Sequence, residues 1–166
     1  LYIDPVQARL RHAMVFEDDA PVVFDRDRLA PPARPVLLCG RGWRGRRLDQ
    51  GRPSAALERE ARLVVHQPPS GDAVSLTIEL CGFRRRRVVR LVDRRGTELA
   101  RWEVRPGESR PYTSPPLLLT PGSHELSLVS DGESRPRRPE EQAVPGDSRP
   151  YSLRAGGVRL VPVARA

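Results

Sequence analysis

The fold is decided by residues 73–104, which read AVSLTIELCGFRRRRVVRLVDRRGTELARWEV. The first part of this stretch alternates four aliphatic residues with three polar ones. The aliphatic residues are Val74, Leu76, Ile78 and Leu80. Because successive side chains of a β-strand point to opposite faces of the sheet, this alternation predicts a strand with one apolar face and one polar face.

The rest of the stretch predicts a β-hairpin. Residues 88–92 are β-branched or aliphatic apart from Arg90, and Ala100, Trp102 and Val104 alternate with charged residues on the return. Between the two runs lies a short turn in which Gly96 can adopt a positive φ. The stretch therefore predicts three antiparallel strands with one buried face, which is a scaffold and by itself reveals no reaction.

The composition of the whole chain favours an all-β fold. The 166 residues include 18 prolines, which lie mainly between the apolar runs. Proline is tolerated at strand edges and turns but not inside helices or central strands, so many short strands are expected. A chain of this length buries roughly two-thirds of its unfolded surface as one domain. We predict a β-sandwich of two antiparallel sheets packed face to face over residues 36–166.

Residues 1–35 are predicted to form an arm made of a helix, a strand and a linker. Asp4 and Pro5 are typical of a helix start, and apolar residues recur at helical spacing as far as Met14. We expect a short N-terminal helix over residues 5–14, which either connects to an upstream domain or lies on the sandwich.

Two later segments also carry local expectations. Residues 54–60 are polar and compatible with a single helical turn. Residues 131–146 are charged and rich in proline, a composition that favours a mobile segment.

The formal charge of +8 at pH 7 invites a nucleic-acid interpretation. All 29 basic residues are arginine, however, which is typical of a GC-rich coding bias, whereas phosphate binding gives no reason to exclude lysine. Coding bias together with solubility is the preferred interpretation. The alternative is an anion patch in the loop before the second strand, formed by Arg84, Arg85, Arg86 and Arg87.

The sequence contains no recognisable catalytic or metal-binding pattern. His12, His66 and His124 each lack a cysteine or a second histidine at metal-ligand spacing, so no metal or other cofactor is expected. Ser123 and Glu125 flank His124, but neighbours on a strand point to opposite faces and cannot form a triad by themselves. We expect this segment to have no enzymatic activity.

The cysteines and aromatic residues give weaker indications. Cys39 and Cys81 end apolar runs and are interpreted as buried thiols, although a single bridge between strands stays open. Trp102 alternates with core positions and is expected in the core. Trp43 and Tyr151 lie beside loops, where their rings could stack on a sugar or a base.

Several short motifs follow one another in order between residues 37 and 162. They are Gly42-Trp43, Ala61-Arg62-Leu63-Val64-Val65, the strand 76–80, the hairpin 90–103, Gly122-Ser123-His124-Glu125-Leu126-Ser127-Leu128, Asp147-Ser148-Arg149 and Val158-Arg159-Leu160. This order, over about three-quarters of the chain, resembles a C-terminal jelly-roll-like β-sandwich module of bacterial glycosyltransferases and related membrane glycan enzymes. The chain departs from the family pattern after the Gly-Trp pair, where Arg-Gly-Arg-Arg replaces Tyr-x-x-Glu.

The resemblance implies a non-catalytic accessory module that positions or recognises glycan for an attached enzyme. It marks Trp43, Asp147, Arg149 and Tyr151 as the ligand-binding surface, although the Asp-Arg pair can equally be an ion pair that holds the closing loop. The implied partners are a glycan or polysaccharide and a catalytic domain upstream of Leu1. Two alternatives stay open: an arginine-rich module that binds nucleic acid or an anionic surface, and a purely structural or dimerisation sandwich.

The chain begins with Leu1 rather than Met, so we expect it to be part of a longer protein. No apolar run approaches the ~20 residues that span a membrane. Any association with a membrane is therefore expected to come through the parent protein, on a side that the sequence does not define.

Overall fold

The computed structural model describes residues 12–17, 20–25, 34–49, 52–69 and 73–163. These ranges form twelve β-strands and one short 3-10 helix. The strands are β1 His12–Glu17, β2 Ala20–Asp25, β3 Val36–Cys39, β4 Trp43–Asp49, β5 Arg52–Leu57, β6 Glu60–Gln67, β7 Val74–Gly82, β8 Arg87–Asp93, β9 Glu98–Val104, β10 Arg110–Thr113, β11 Gly122–Ser130 and β12 Leu153–Pro162. The 3-10 helix is Pro139–Glu141.

Ten of the strands form two five-stranded sheets. Sheet I has the strand order β10-β7-β12-β5-β4, and sheet II has the order β3-β6-β11-β8-β9. All of their neighbouring strands pair antiparallel. The remaining strands, β1 and β2, form a separate hairpin. The prediction of an all-β fold with two antiparallel sheets is confirmed.

A shared apolar core lies between the two sheets. Its fully buried members come from both sheets, as alternating positions on facing strands require. Sheet I contributes Leu57, Val74, Leu76, Ile78, Leu80, Leu153 and Ala155, and sheet II contributes Ala61, Leu63, Val65, Val89, Leu91, Val104, Leu126 and Leu128. The four aliphatic residues that the sequence placed on one face of β7 are all completely buried.

The stretch that decides the fold crosses the sandwich from one sheet to the other. β7 belongs to sheet I, whereas β8 and β9 are neighbours in sheet II, so β7 shares the core with this hairpin without pairing with it. The hairpin between β8 and β9 is closed as expected: Gly96 has a φ of +81°, and Asp93 Oδ1 accepts hydrogen bonds from the amides of Arg95 and Thr97, each at 2.8 Å.

The structure corrects two local expectations. The N-terminal helix predicted over residues 5–14 lies mostly outside the described residues, and its last three residues begin strand β1 instead. Backbone pairing of His12 with Asp25 and of Met14 with Val23 replaces the local hydrogen bonds that a helix needs. The helical turn suggested for residues 54–60 is also wrong, because these residues belong to strands β5 and β6 and the turn between them. The boundary between residues 35 and 36 stays a prediction.

Within the described part of the chain, no helix is long and apolar enough to cross a membrane.

Candidate functional site

Trp43, the first of the predicted binding residues, sits at the edge of the sandwich. It opens β4, and its indole Nε1 donates a hydrogen bond of 2.8 Å to the backbone oxygen of Arg62 on sheet II. The ring is half-buried against the main core. The preceding Gly42 has a φ of +89°, and a Cβ there would collide with the backbone of Glu60. Trp43 therefore fastens β4 to the opposite sheet.

The other predicted residues lie in the connection between β11 and β12, residues 131–152, which we call the closing segment. The Ser134 backbone amide donates to the Tyr151 backbone oxygen at 2.9 Å, and the Tyr151 backbone amide donates to the Ser134 backbone oxygen at 3.0 Å. The next amide, of Ser152, donates to the Leu57 oxygen on β5 at 2.8 Å. The first two bonds join the ends of the closing segment to each other, and the third attaches the segment to the end of β5 in sheet I.

Tyr151 belongs to a second, smaller apolar cluster with Ala56, Phe83 and Ala143. Its ring is completely buried and stacks on Phe83 with centroids 3.9 Å apart. Its hydroxyl donates to the backbone carbonyl oxygen of Glu141 at 2.7 Å. Ala56 points away from the main core, because its neighbour Leu57 points into it. The closing segment thus covers part of the outer face of sheet I, and the Tyr151 ring is enclosed rather than presented to a ligand.

Asp147 and Arg149 form an ion pair, and a buried arginine joins them. Asp147 Oδ2 accepts from Arg149 Nη2 at 2.9 Å and from Arg44 Nη1 at 3.0 Å. Arg44 is largely buried, lies 3.2 Å from Glu58 through its Nε, and also donates to the Pro150 oxygen. The hydrogen bonds from Arg149 hold the pKa of Asp147 well below its ordinary value. We call Arg44, Asp147 and Arg149 the clamp, because they join β4 to the closing segment.

The predicted anion patch is largely occupied by groups of the chain itself. Arg84 Nη2 donates to both carboxylate oxygens of Glu141, at 2.6 and 2.7 Å, and Arg86 donates to Glu103 at 3.2 Å. Arg87 is buried and donates to Ser134 Oγ at 2.7 Å. Arg85 is exposed. Three of the four guanidinium groups therefore have partners within the chain, and the anion patch stays a prediction.

The Arg84–Glu141 pair gives a testable dependence of stability on pH. Hydrogen bonds from Arg84, and then from the Arg137 and Arg138 amides, lower the pKa of Glu141 from 4.5 to about 2. Since the folded pKa is the lower one, the stabilisation is complete above the unfolded pKa and is lost as the pH falls towards the folded one. The difference in melting temperature between the wild type and Glu141→Gln should narrow between about pH 5 and about pH 2. A difference that stays constant over this range would contradict the pairing.

An open polar surface lies on the rest of the outer face of sheet I. We call it the polar face, and it consists of Thr77, Glu79, Thr113 and Arg159 on β7, β10 and β12. Thr77 pairs with Thr113 on one side and with Arg159 on the other, and the two threonine hydroxyls are 3.1 Å apart.

Glu79 and Arg159 keep their charged groups available. Among the described residues, neither the Glu79 carboxylate nor the Arg159 guanidinium has a hydrogen-bond partner within 3.5 Å or an ion-pair partner within 4.0 Å. A Cβ on Gly156 would lie 2.8 Å from Glu79 Oε2, so the half-buried Glu79 side chain lies directly against this glycine. The alternating polar residues of β7 predicted a polar face in the sequence. The residues of β10 and β12 that lie beside it could be identified only from the strand register in the structure.

Ser123 and His124 are neighbours on β11, and their side chains point to opposite faces, as alternation along a strand requires. Ser123 lies opposite His66 across β11 and β6, with Oγ 3.1 Å from Nδ1. His124 points the other way and its Nε2 lies 2.6 Å from the Thr120 oxygen. Cys39 and Cys81 are half-buried thiols in different sheets. Within the described ranges, no three His, Cys, Asp or Glu side chains gather into a group that could hold a metal ion.

With the geometry described, the chain can be classed as an all-β protein with two antiparallel sheets. No protein-family model matches it, and no curated protein matches it. A solved structure of an exo-β-agarase aligns with 94% of this chain at 11% identity and a TM-score of 0.39. The chain spans 26% of that protein's length, and a likeness at this TM-score carries no argument about function.

Proposed function

We propose that the chain is a non-catalytic accessory module, a jelly-roll-like β-sandwich that recognises glycan for an attached glycosyltransferase or a related enzyme of the cell envelope. The polar face carries this proposal. It combines a half-buried carboxylate, an exposed guanidinium and two threonine hydroxyls on one side of a sheet.

The chemistry of the polar face suits sugar hydroxyls. A carboxylate accepts hydrogen bonds from two neighbouring hydroxyl groups, a guanidinium donates to hydroxyl oxygens, and a threonine hydroxyl does both. The strands hold the backbones of Glu79, Thr77 and Arg159 in a fixed arrangement, so binding has to order only their side chains. The resemblance of the motif order to modules of glycan enzymes supports the same class of ligand.

In this proposal the four residues that the resemblance marked stabilise the fold and do not contact the glycan. Trp43 fastens β4 to sheet II, Tyr151 fills the small cluster, and Asp147 with Arg149 holds the closing segment. Their side chains make the outer face of sheet I rigid beside the polar face. The glycan itself contacts the uncovered strands β7, β10 and β12.

Substitutions in the polar face test the proposal. Wild type should bind at least one member of a panel of neutral and uronic-acid oligosaccharides from cell-envelope polysaccharides in isothermal titration calorimetry. Hydrogen bonds to charged groups contribute about 1.5–3 kcal/mol, so Glu79→Ala and Arg159→Ala should each weaken binding by at least about tenfold.

Arg90→Ala is the matched control, because it removes an exposed arginine from the outer face of sheet II. Its affinity should equal that of the wild type. Binding that survives in a Glu79→Ala/Arg159→Ala double variant would contradict the proposed surface. A panel without any binder, together with a molecular mass that rises with concentration, would instead favour the dimerisation sandwich.

A further inference from the structure

Strand β12 places two arginines on the outer face of sheet I, on either side of a β-bulge. Arg154 lies opposite Cys81 of β7, and Arg159 belongs to the polar face. The register between β12 and β7 shifts between Ala155 and Val158, whose side chains pack in the core. Because side chains alternate along a strand, the neighbouring Arg154 and Arg159 point away from the core. Arg154 therefore extends the polar face along β12.

No carboxylate of the described part of the chain neutralises either arginine. Arg154 donates through its Nε to the Tyr151 hydroxyl at 3.2 Å, and its Cζ lies 6.0 Å from the centroid of the Phe83 ring. Among the described residues, no carboxylate oxygen lies within 4.0 Å of a side-chain nitrogen of Arg154 or Arg159. Arg159 is exposed, and the half-buried Arg154 keeps both of its Nη atoms in contact with solvent. Both charges are therefore available to a ligand.

The charges on this extended face do not cancel. Glu79 is the one acidic residue in strands β7, β10 and β12, whereas β12 carries both arginines and Arg110 of β10 is already paired with Glu108. One positive charge is left over, and a guanidinium donates two parallel hydrogen bonds to a carboxylate. Between the two arginines, a Cβ on Gly157 would meet no described atom within 4 Å, so the backbone is uncovered there. The face thus suits a ligand that carries an acid group together with hydroxyl groups.

We propose that the polar face, extended by Arg154, binds an acidic glycan whose sugar rings carry carboxylate groups. This inference rests on the proposed function and names the class of glycan. Arg154 and Arg159 bind the carboxylates, whereas Glu79 accepts hydrogen bonds from hydroxyl groups. A nucleic acid fits this face less well, because its closely spaced phosphates bring further negative charge next to Glu79.

Pairs of ligands that differ only in their acid groups test this inference. Isothermal titration calorimetry of the 166-residue chain compares oligogalacturonate and oligomannuronate with the same oligosaccharides after their carboxyl groups have been reduced to alcohols. Wild type should bind at least one acidic form about tenfold more tightly than its reduced form, since charge-assisted hydrogen bonds are stronger than neutral ones. Arg154→Gln and Arg159→Gln should each lower this ratio by about threefold, as is usual for an accessible charge pair, and the double variant should bring it close to one.

Arg154→Lys and Arg90→Gln are the controls. Arg154→Lys keeps the charge and should keep most of the ratio, whereas Arg90→Gln removes an exposed charge from sheet II and should leave the ratio unchanged. Equal affinity of the wild type for the acidic and reduced forms would overturn this inference and leave the proposed function standing, whereas binding of no oligosaccharide at all would overturn both. A preference for the acidic form that survives in the double variant, or tighter binding of a single-stranded oligonucleotide, would also overturn the inference.

Discussion

Replacing Tyr151 with alanine should lower the free energy of unfolding by about 4 kcal/mol, as is usual for truncating a fully buried aromatic side chain. The substitution removes the stack on Phe83 and the hydrogen bond to the Glu141 oxygen, and it leaves a cavity between sheet I and the closing segment. Chemical denaturation followed by circular dichroism measures the change. The slope of the transition should stay the same if the closing segment remains folded.

Tyr151→Phe is the matched control for this prediction. It keeps the ring and loses only the hydroxyl, so the expected cost is about 1 kcal/mol. If Tyr151→Ala were as stable as the wild type but had lost glycan binding, the ring would belong to the ligand site and the scaffold role would be contradicted.

Breaking the clamp should have the second-largest effect. Asp147→Asn leaves the largely buried Arg44 with Glu58 as its one charged partner among the described residues, and removing one member of a buried ion pair costs about 3 kcal/mol. The carboxylate of Asp147 is 11% exposed, so water replaces it poorly. Denaturation at neutral pH measures this loss, because the lowered pKa of Asp147 keeps the wild-type carboxylate ionised there.

Arg149→Ala is the control for the clamp. The Arg149 side chain is 67% exposed, so its pair with Asp147 should contribute no more than about 1 kcal/mol. Equal destabilisation by Asp147→Asn and Arg149→Ala would contradict the role given to Arg44.

The three strands within residues 73–104 were predictable because the pattern that identifies each strand is local in the sequence. A period of two places Val74, Leu76, Ile78 and Leu80 on one face whichever sheet they join, and Gly96 marks the hairpin turn directly. The assignment of β7 to sheet I and of β8 to sheet II was not predictable, because it depends on pairing with β12 and β11, far along the chain. The same non-local pairing displaced the end of the expected N-terminal helix.

The structural roles of Asp147 and Tyr151 depend on contacts with residues far away in the sequence, which no local sequence pattern predicts. Arg44 and Asp147 are 103 residues apart in sequence, and nothing near Asp147 signals a buried arginine beside it. Tyr151 was placed beside a loop, correctly, but its burial depends on Phe83 from the crossing between sheets. Composition also made residues 131–146 look mobile, although Ala143 is buried in the small cluster and Glu141 pairs with Arg84.

Amide hydrogen exchange of the closing segment tests most directly whether these residues hold a folded cover on sheet I. The amides of Ser134, Tyr151 and Ser152 donate to backbone oxygens within the segment or on β5, so they should exchange almost as slowly as those of β7 and β12. Exchange of all three at the rate of an unstructured peptide, while β7 stays protected, would contradict the account.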